Sequence, residues 1–252
     1  MIPTALITGA TSGLGAEFAR QLAAAGHNLV LVARDTDRLV ERAARLEELY
    51  PVGVEILTAD LLSDEGAAAV ASRLADDERP ITILVNNAGF GLPGWFTENA
   101  LGDERDQLRI LVQAPMELTY AAIEAMVRRR GGRIINVAST AGFTLRGTYS
   151  ASKAWIINFS RWANAHYQAD GIHVTAVCPG FVRTEFHSRM AADVSGVKAW
   201  MWLTPERVVR EGLKDAFAGR AVSIPTKRYK VLSRVTAAIP DALAAKVSSR
   251  GR

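Results

Sequence analysis

At 252 residues the chain is long enough for one large domain or two small ones, and its 49% hydrophobic and 22% charged residues are ordinary for a globular protein. It has no run of 18 apolar residues and no basic region followed by a short apolar stretch at its start, so neither a membrane-spanning helix nor a signal peptide is expected. A single cysteine and four scattered histidines argue against an internal disulfide and against a metal site, and this composition suits the cytoplasm.

The net charge of +4 is concentrated at the C-terminus. Residues 227–252 carry seven basic residues and one acidic residue, a net charge of +6, which leaves −2 for residues 1–226. The basic character is therefore a property of the C-terminal segment, and no nucleic-acid-binding core is expected.

Short apolar runs alternate with longer helical patterns along the chain. Strands are predicted at 5–8, 28–33, 54–58, 81–86, 133–138, 173–178 and 221–224, and helices at 14–25, 36–49, 64–77, 103–129, 149–169 and 205–218. The strand segments are almost continuously apolar, as in parallel strands that are covered on both faces. This order predicts an α/β fold of the Rossmann type, with a doubly wound seven-stranded parallel sheet and helices on both faces.

Two further features concern the organisation of the chain. No linker-like stretch interrupts the alternation, so we expect one domain over residues 1–226, followed by a basic amphipathic extension over residues 227–252. Pro115 lies inside the long helical pattern at 103–129 and predicts a kink or a break there, because proline has no N–H group to donate.

A glycine-rich turn follows the first predicted strand and leads into a helix. It reads Thr8-Gly9-Ala10-Thr11-Ser12-Gly13-Leu14-Gly15. Glycines let the backbone approach a pyrophosphate closely, and a helix N-terminus offers unpaired N–H groups and a positive dipole. The alternative is a tight strand-to-helix turn that binds nothing, but the position between a strand and a helix favours nucleotide binding.

The residues after the second and third strands bear on the choice of nucleotide. At the end of the second strand an acidic residue would bind the adenosine ribose, whereas an arginine would pair with a 2′-phosphate. Arg34 occupies this position and favours NADP over NAD, although Asp35 follows it and Arg34 could simply lie on a surface loop. Asp60, followed by Leu61, could accept a hydrogen bond from the adenine amino group or cap the next helix, a role open also to Ser63.

Tyr149 and Lys153 are four residues apart and would share one face of a helix. A phenol beside a fixed ammonium group ionises more easily and could exchange a proton near neutral pH, although a solvated helix face would show the same spacing. Ser139 follows a buried strand, where a hydroxyl would lie in the crevice in which such sheets bind ligands. A serine that caps a turn is the alternative.

Over residues 4–225 the chain resembles the classical short-chain dehydrogenases/reductases. The resemblance rests on the glycine-rich turn, on Asn86-Asn87-Ala88-Gly89, on the Tyr149 and Lys153 pair, and on a Pro-Gly-x-Val-x-Thr-like segment at 179–184. It implies NADP(H), with NAD(H) less favoured, as the cofactor. The cofactor-binding residues that we predict are Gly9, Thr11, Ser12, Gly13, Leu14, Gly15, Arg34, Asp60, Leu61, Asn87, Ala88, Gly89, Tyr149, Lys153, Pro179, Gly180, Val182 and Thr184.

The resemblance also implies that Ser139, Tyr149 and Lys153 are catalytic. In such a mechanism NADPH delivers a hydride to a carbonyl carbon, Tyr149 donates a proton to the carbonyl oxygen, and Ser139 holds that oxygen. Lys153 would bind the nicotinamide ribose and lower the pKa of Tyr149. The expected function is the reduction of a ketone or aldehyde to an alcohol, and the alternative is a non-catalytic or impaired NADP-binding or sensor protein.

Two departures from the family pattern matter. The asparagine that the family carries four residues before a proline in the long helix is Leu111 here, counted back from Pro115. The proton relay behind Lys153 is therefore expected to be different, weaker or supplied by another residue. Ser139 and Tyr149 are also closer in sequence than is usual in the family, so a short loop at 143–148 is expected to reshape one wall of the substrate pocket.

Large apolar side chains are frequent where family members close over their substrate. They are Phe186, Met190, Trp200, Met201 and Trp202 in the segment after Thr184, together with Trp95 and Phe96. A pocket of such residues favours an apolar or lipid-like carbonyl substrate, and core or dimer contacts are the alternative.

The C-terminal extension begins with an amphipathic pattern over residues 227–239 that ends before Pro240. One face carries Val231, Leu232, Val235, Ala238 and Ile239 among basic residues. Three interpretations remain open: a helix packed on the domain or a partner subunit, a peripheral membrane contact, or a frayed tail. The resemblance also implies a homodimer or homotetramer that associates through the helices at 103–129 and 149–169.

Overall fold

The computed structural model describes residues 2–186, 190 and 196–238, and its centre is a seven-stranded parallel sheet. The strands lie in the order β3-β2-β1-β4-β5-β6-β7. Their ranges are β1 Thr4–Thr8, β2 Asn28–Ala33, β3 Val54–Thr58, β4 Ile83–Asn86, β5 Gly132–Val137, β6 Ile172–Val177 and β7 Val222–Ser223. The strand order reverses between β1 and β4, so the predicted doubly wound sheet is confirmed.

Helices cover both faces of this sheet. They are α1 Gly13–Ala24, α2 Thr36–Leu49, α3 Asp64–Ala75, α4 Leu101–Leu108, α5 Ala114–Arg129, α6 Gly147–Tyr167, α7 Pro205–Phe217 and α8 Lys227–Ala238. Successive residues of a strand point to opposite faces. In β1, Ala5 and Ile7 pack in the core that contains Phe18 of α1, whereas Leu6 packs in the core that contains Leu118 of α5. The continuously apolar strands thus supply both cores.

The long helix predicted at 103–129 is interrupted, as Pro115 indicated. The chain forms α4, then a π-helical turn at Arg109–Gln113, and then α5, in whose first turn Pro115 lies. A wider turn before the proline accommodates its ring and its missing N–H group. The run Leu101–Arg129 is long and apolar enough to cross a membrane, but 56% of its most apolar 18-residue stretch is buried inside the protein.

The start of the C-terminal extension is helical, and the residues that it buries are not those of the predicted apolar face. In α8 the buried residues are Tyr229 and Ser233, whereas Val231 is 61% exposed and Val235 is 53% exposed. The predicted apolar face is thus exposed, whereas the opposite side of α8 packs on the domain because the Tyr229 ring joins the core. The end of the predicted helix at Ile239 and Pro240 lies outside the described residues, and the membrane contact stays a prediction.

Candidate active site

The candidate site lies where the carboxyl ends of β1, β4 and β5 meet. Thr8 at the end of β1 accepts hydrogen bonds at Oγ1 from the backbone N–H groups of Asn87 (2.9 Å) and Ala88 (3.0 Å). The Asn87 side chain donates in return to the carbonyl oxygens of Thr8 (2.9 Å) and Gly9 (3.2 Å). The segment after β4 therefore holds the glycine-rich turn in place. Asn87 and Ala88, both predicted to bind the cofactor, lie beside this turn.

The glycine-rich turn has the geometry of an anion site. Gly9 (φ 66°) and Gly13 (φ 55°) have left-handed backbones, and a side chain on Gly15 would collide with the Gly9 carbonyl. Ser12 precedes α1, but its side chain caps none of the first N–H groups of that helix. Those N–H groups and the helix dipole thus remain available to a phosphate at the predicted position.

Basic side chains surround the far side of this turn. The side chain of Arg34 is 71% exposed, and its Nη1 lies 4.0 Å from Asp60 Oδ2. Asp35 caps α2 by accepting from the Arg38 N–H, so it does not compete with Arg34 for a ligand. Arg42, which the sequence analysis missed, donates to the carbonyl oxygen of Thr11 (3.3 Å). Arg42 follows Arg34 in the next helix, and this position is the one feature of the sequence that could have pointed to it.

Among the predicted residues after β3 and in the 179–184 segment, some lie at the surface and some are buried in the core. Ser63, not Asp60, caps α3, while Asp60 accepts from the Leu62 N–H and turns towards Arg34. The side chains of Leu61 and Val182 are 6% and 5% exposed in the core, so only their backbones can reach a cofactor. Their binding of a cofactor stays a prediction, for contacts that their backbones would make.

The 179–184 segment connects the two halves of the site. The Pro179 carbonyl oxygen accepts from the N–H of Thr140, the neighbour of Ser139 (2.9 Å). At its other end Thr184 packs on the glycine-rich turn, where a Cβ on Gly13 would lie 3.3 Å from Thr184 Cγ2. A cleft of about 270 Å³ opens beside this contact, between α1 and residues 183–185.

Ser139, Tyr149 and Lys153 come together as the sequence predicted. Ser139 precedes the 3-10 turn Thr140–Phe143 and accepts from the Ala141 N–H (3.1 Å), and its side chain is near enough to the Tyr149 hydroxyl to lower the pKa of that group. Lys153, one turn further along α6, donates from Nζ to the Val137 carbonyl oxygen (2.7 Å). Its Nζ lies 5.6 Å from the centre of the Tyr149 ring.

Burial dominates the protonation of this group. It raises the pKa of Tyr149 to about 12, against the opposing effect of the Ser139 side chain, and it lowers the pKa of Lys153 to about 8. The pKa of Tyr149 in the protein alone thus lies above its ordinary value because the buried phenolate is costly, and the lowering of this pKa by Lys153 stays a prediction. Cys178, itself buried, has its pKa raised to about 12 by burial.

Leu111 leaves an apolar surface where the family's asparagine would stand. It is 2% exposed and packs on the Asn-Asn-Ala-Gly segment, where a Cβ on Gly89 would lie 2.6 Å from Leu111 Cδ2. The neighbouring Gln113 donates to Glu117 (2.8 Å) and so does not replace it. The amine of Lys153 is held directly by the Val137 carbonyl oxygen.

A second residue missed by the sequence analysis supports the start of α6. Gln107 of α4 is 1% exposed, and its Oε1 accepts from the hydroxyl of Thr148, the neighbour of Tyr149 (3.2 Å). Within the segment 143–148, residues 144–146 alone separate the 3-10 turn from α6, and the effect of this short loop on the substrate pocket stays a prediction. Gln107 therefore fixes the turn from which Tyr149 projects.

Apolar side chains cover the tyrosine. The Phe186 ring lies 5.9 Å from the Tyr149 ring, and Phe186 and Met190 fill the space next to Gly91, where a side chain would collide with Met190. Trp95, Phe96 and Trp200 are about half exposed and belong to no core cluster. Among the described residues, no group of three or more His, Cys, Asp and Glu could hold a metal ion.

Comparisons with known proteins agree with this geometry. The family profile described as short chain dehydrogenase matches residues 3–195. A very-long-chain 3-oxoacyl-CoA reductase from Coprinopsis cinerea is 35% identical over 185 residues, which are 71% of this chain and 54% of that protein, so the chain spans about half of its length.

The solved structures that match over nearly the whole chain include the following two. A short-chain dehydrogenase from Sphingobium yanoikuyae in complex with NADPH has a TM-score of 0.86 and 35% identity, covering 96% of this chain and 98% of that one. A bulky-bulky ketone specific alcohol dehydrogenase from Comamonas testosteroni has a TM-score of 0.81 and 31% identity, covering 96% of each chain.

The depressed pKa of Lys153 predicts a pH-dependent stability. Between about 8 and the ordinary 10.5, the Lys153 amine carries a proton in the unfolded chain that it has lost in the folded chain, so the contribution of Lys153 to the wild-type stability rises with pH in this window. Lys153→Met lacks this gain. Urea unfolding across the window should therefore show the stability of Lys153→Met, relative to the wild type, falling by up to about 3 kcal/mol from neutral to alkaline pH.

The exposed Lys214 of α7 provides the control, because Lys214→Met should follow the wild type at every pH. Parallel stability curves for wild type and Lys153→Met would contradict the lowered pKa.

Proposed function

The chain belongs to the short-chain dehydrogenase/reductase family, and we propose that it is an NADP(H)-dependent oxidoreductase that reduces an apolar ketone or aldehyde to an alcohol. The observation that carries this proposal is the meeting of Ser139, Tyr149 and Lys153 beside the glycine-rich turn. One relative is named as a 3-oxoacyl-CoA reductase and one structural neighbour as an NADPH complex, which supports both halves of the proposal.

The residues at this edge of the sheet fit a dinucleotide. The turn from Gly9 to Gly15 and the uncapped start of α1 would hold the pyrophosphate, and Arg34 would pair with the 2′-phosphate. Thr184 and the backbone of Asn87 to Gly89 would lie along the nicotinamide half. Bound NADPH supplies the hydride that reduces the carbonyl carbon.

The raised pKa of Tyr149 suits a general acid. At neutral pH its phenol is protonated, so it can donate a proton to a carbonyl oxygen as negative charge develops there. Ser139, whose side chain is near the Tyr149 hydroxyl, would hold the same oxygen. Lys153, still largely charged at neutral pH, would stabilise the phenolate that remains after the transfer, and solvent must then return the proton.

The cover over Tyr149 supports an apolar substrate. Phe186 and Met190 lie next to Tyr149 and Gly91, and they offer the substrate no charge and no strong hydrogen bond. One structural neighbour is named as specific for bulky-bulky ketones and one relative as acting on very-long-chain 3-oxoacyl-CoA. Both names agree with a large apolar group on the carbonyl of the proposed substrate.

We further propose that the chain forms a homodimer or homotetramer through α5 and α6. On α6, Trp155 stacks on Phe159 (4.9 Å between ring centres), Phe159 lies 6.0 Å from Trp162, and Trp162 is 53% exposed. On α5, Tyr120 is 66% exposed. Trp155 and Phe159 are half-buried, so the row emerges from the core at the exposed Trp162, and an exposed aromatic patch of this kind is typical of a surface that a partner covers.

Replacing Tyr149 tests the chemistry. Tyr149→Phe keeps the ring and removes the proton donor, so kcat for an apolar ketone should fall roughly 10²–10⁴-fold, measured as NADPH oxidation. Tyr120→Phe, which changes an exposed tyrosine of α5, is the control and should keep its activity. An unchanged rate in Tyr149→Phe would contradict the mechanism. NADPH binding by the wild type without turnover of any apolar ketone or aldehyde would favour the sensor alternative.

Replacing Arg34 tests the cofactor choice. Arg34→Ala should raise the Kd for NADPH roughly 10–100-fold, the range expected for charge-assisted hydrogen bonds to a phosphate, while the Kd for NADH changes little. Fluorescence titration gives both constants. Arg45→Ala, which removes an exposed arginine on α2, should leave both unchanged. An equal loss of affinity for both nucleotides would rule out the 2′-phosphate role.

Replacing Trp162 tests the association. Trp162→Glu places a charge at the exposed end of the aromatic row, so light scattering after size exclusion should show a monomer or a much weaker oligomer. The matched variant Trp95→Glu changes a similarly exposed tryptophan outside α5 and α6 and should keep the wild-type mass. A wild-type mass for Trp162→Glu would exclude this interface.

A further inference from the structure

A tyrosine of the C-terminal helix contacts the 179–184 segment directly. Tyr229 of α8 is 3% exposed, and its ring fills the space in which a side chain on Gly180 would project. The backbone of Gly180 is not left-handed, so this glycine is required by the close approach of the ring. The second residue of the Pro-Gly pair therefore has a specific partner about fifty residues further along the chain.

The hydroxyl of Tyr229 joins two loops that the sequence places twenty residues apart. It accepts from the Phe181 N–H (3.1 Å) and donates to the carbonyl oxygen of Met201 (2.7 Å). Burial raises the pKa of Tyr229, which keeps the phenol neutral and able to donate. One buried hydroxyl thus satisfies a backbone donor in one loop and a backbone acceptor in the other.

The two loops form a short ladder beside this hydroxyl. Leu203 donates its N–H to the Phe181 carbonyl oxygen (2.8 Å) and accepts from the Arg183 N–H (3.0 Å). The Phe181 and Trp202 rings lie 5.8 Å apart. Arg228, the residue before Tyr229, donates to the Trp202 carbonyl oxygen (3.3 Å). Two consecutive residues of α8 therefore hold the 199–203 loop against residues 181–183.

The same ladder leads directly into the candidate active site. Three residues beyond Phe181, Thr184 packs on Gly13 of the glycine-rich turn, and its hydroxyl accepts from the Phe186 N–H (3.3 Å). Phe186 in turn covers Tyr149. α8 also packs against the 3-10 turn that follows Ser139. A shift of residues 181–183 would move both Thr184 and the apolar cover of Tyr149.

We propose that Tyr229 is a positioning residue of the active site, which acts from α8 through Phe181 and Met201 to set where the cofactor and substrate contacts at Thr184 and Phe186 lie. This inference rests on the proposed function for its kinetic consequence. Its structural part, the anchoring of two loops by one hydroxyl, does not need that function.

The test compares two hydroxyl deletions on the same helix. Tyr229→Phe keeps the ring against Gly180 but loses both hydrogen bonds. Ser233→Ala, one turn further on, removes a buried hydroxyl that has no hydrogen-bond partner within the described part of the chain. In Tyr229→Phe the Phe181 amide should exchange with deuterium faster. The KM for an apolar ketone should rise about ten-fold, with kcat within about two-fold of the wild type. Ser233→Ala should match the wild type in all three measurements.

The outcomes separate positioning from mere stabilisation. If Tyr229→Phe lowers the melting temperature but leaves KM and the Phe181 exchange at the values of Ser233→Ala, the positioning role is overturned. If the wild type turns over no carbonyl, the proposed function fails, and the Kd for NADPH decides the inference. A Kd raised several-fold in Tyr229→Phe but not in Ser233→Ala supports positioning, and an unchanged Kd overturns it.

Discussion

A chain of buried amide hydrogen bonds ties the strands that carry the site to the helix that carries the tyrosine. Asn86 at the end of β4 donates to Asn136 of β5 (2.9 Å), and Asn136 donates to Ser160 of α6 (2.9 Å). Asn136 and Ser160 are fully buried, and an unpaired polar group there would cost roughly 1–3 kcal/mol. α6 is therefore held at one position relative to the sheet, and with it the distance from Tyr149 to the glycine-rich turn on β1.

Burial at this position decides the chemistry as much as the choice of residues does. For a tyrosine and a lysine at adjacent helical turns in water, the ammonium would only lower the pKa of the phenol. Here both side chains are buried, so each is driven towards its neutral form, the phenol by a raised pKa and the amine by a lowered one. In the protein alone, Tyr149 is thus protonated at neutral pH and able to donate its proton. The apolar Leu111 extends this environment behind Gly89, so any proton that returns to Tyr149 has no path through an amide at that position.

The sequence predicted what depends on local pattern. Apolar runs gave the parallel strands, glycine spacing gave the turn before α1, and Pro115 marked the break between α4 and α5. What it missed depends on contacts between distant residues. Gln107 meets Thr148 across 41 residues, and Tyr229 meets Phe181 across 48. The packing of α8 on the core through Tyr229 was missed for the same reason, since no local signal says that Gly180 leaves room for a ring. The effect of burial on the pKa of Tyr149 was also missed, because burial cannot be read from spacing.

The glycines of the family motifs fall into two physical classes. Gly9 and Gly13 are needed for their left-handed backbones, a requirement that any strand-to-helix turn of this shape imposes. Gly89 and Gly180 are needed for space, and the space is filled by Leu111 and Tyr229. The first class constrains the chain within the motif, whereas the second couples the motif to a residue elsewhere. A glycine of the second class can accept a side chain only if its partner becomes smaller. The motif and its distant partner therefore act as one unit, and this coupling makes the C-terminal helix part of the site.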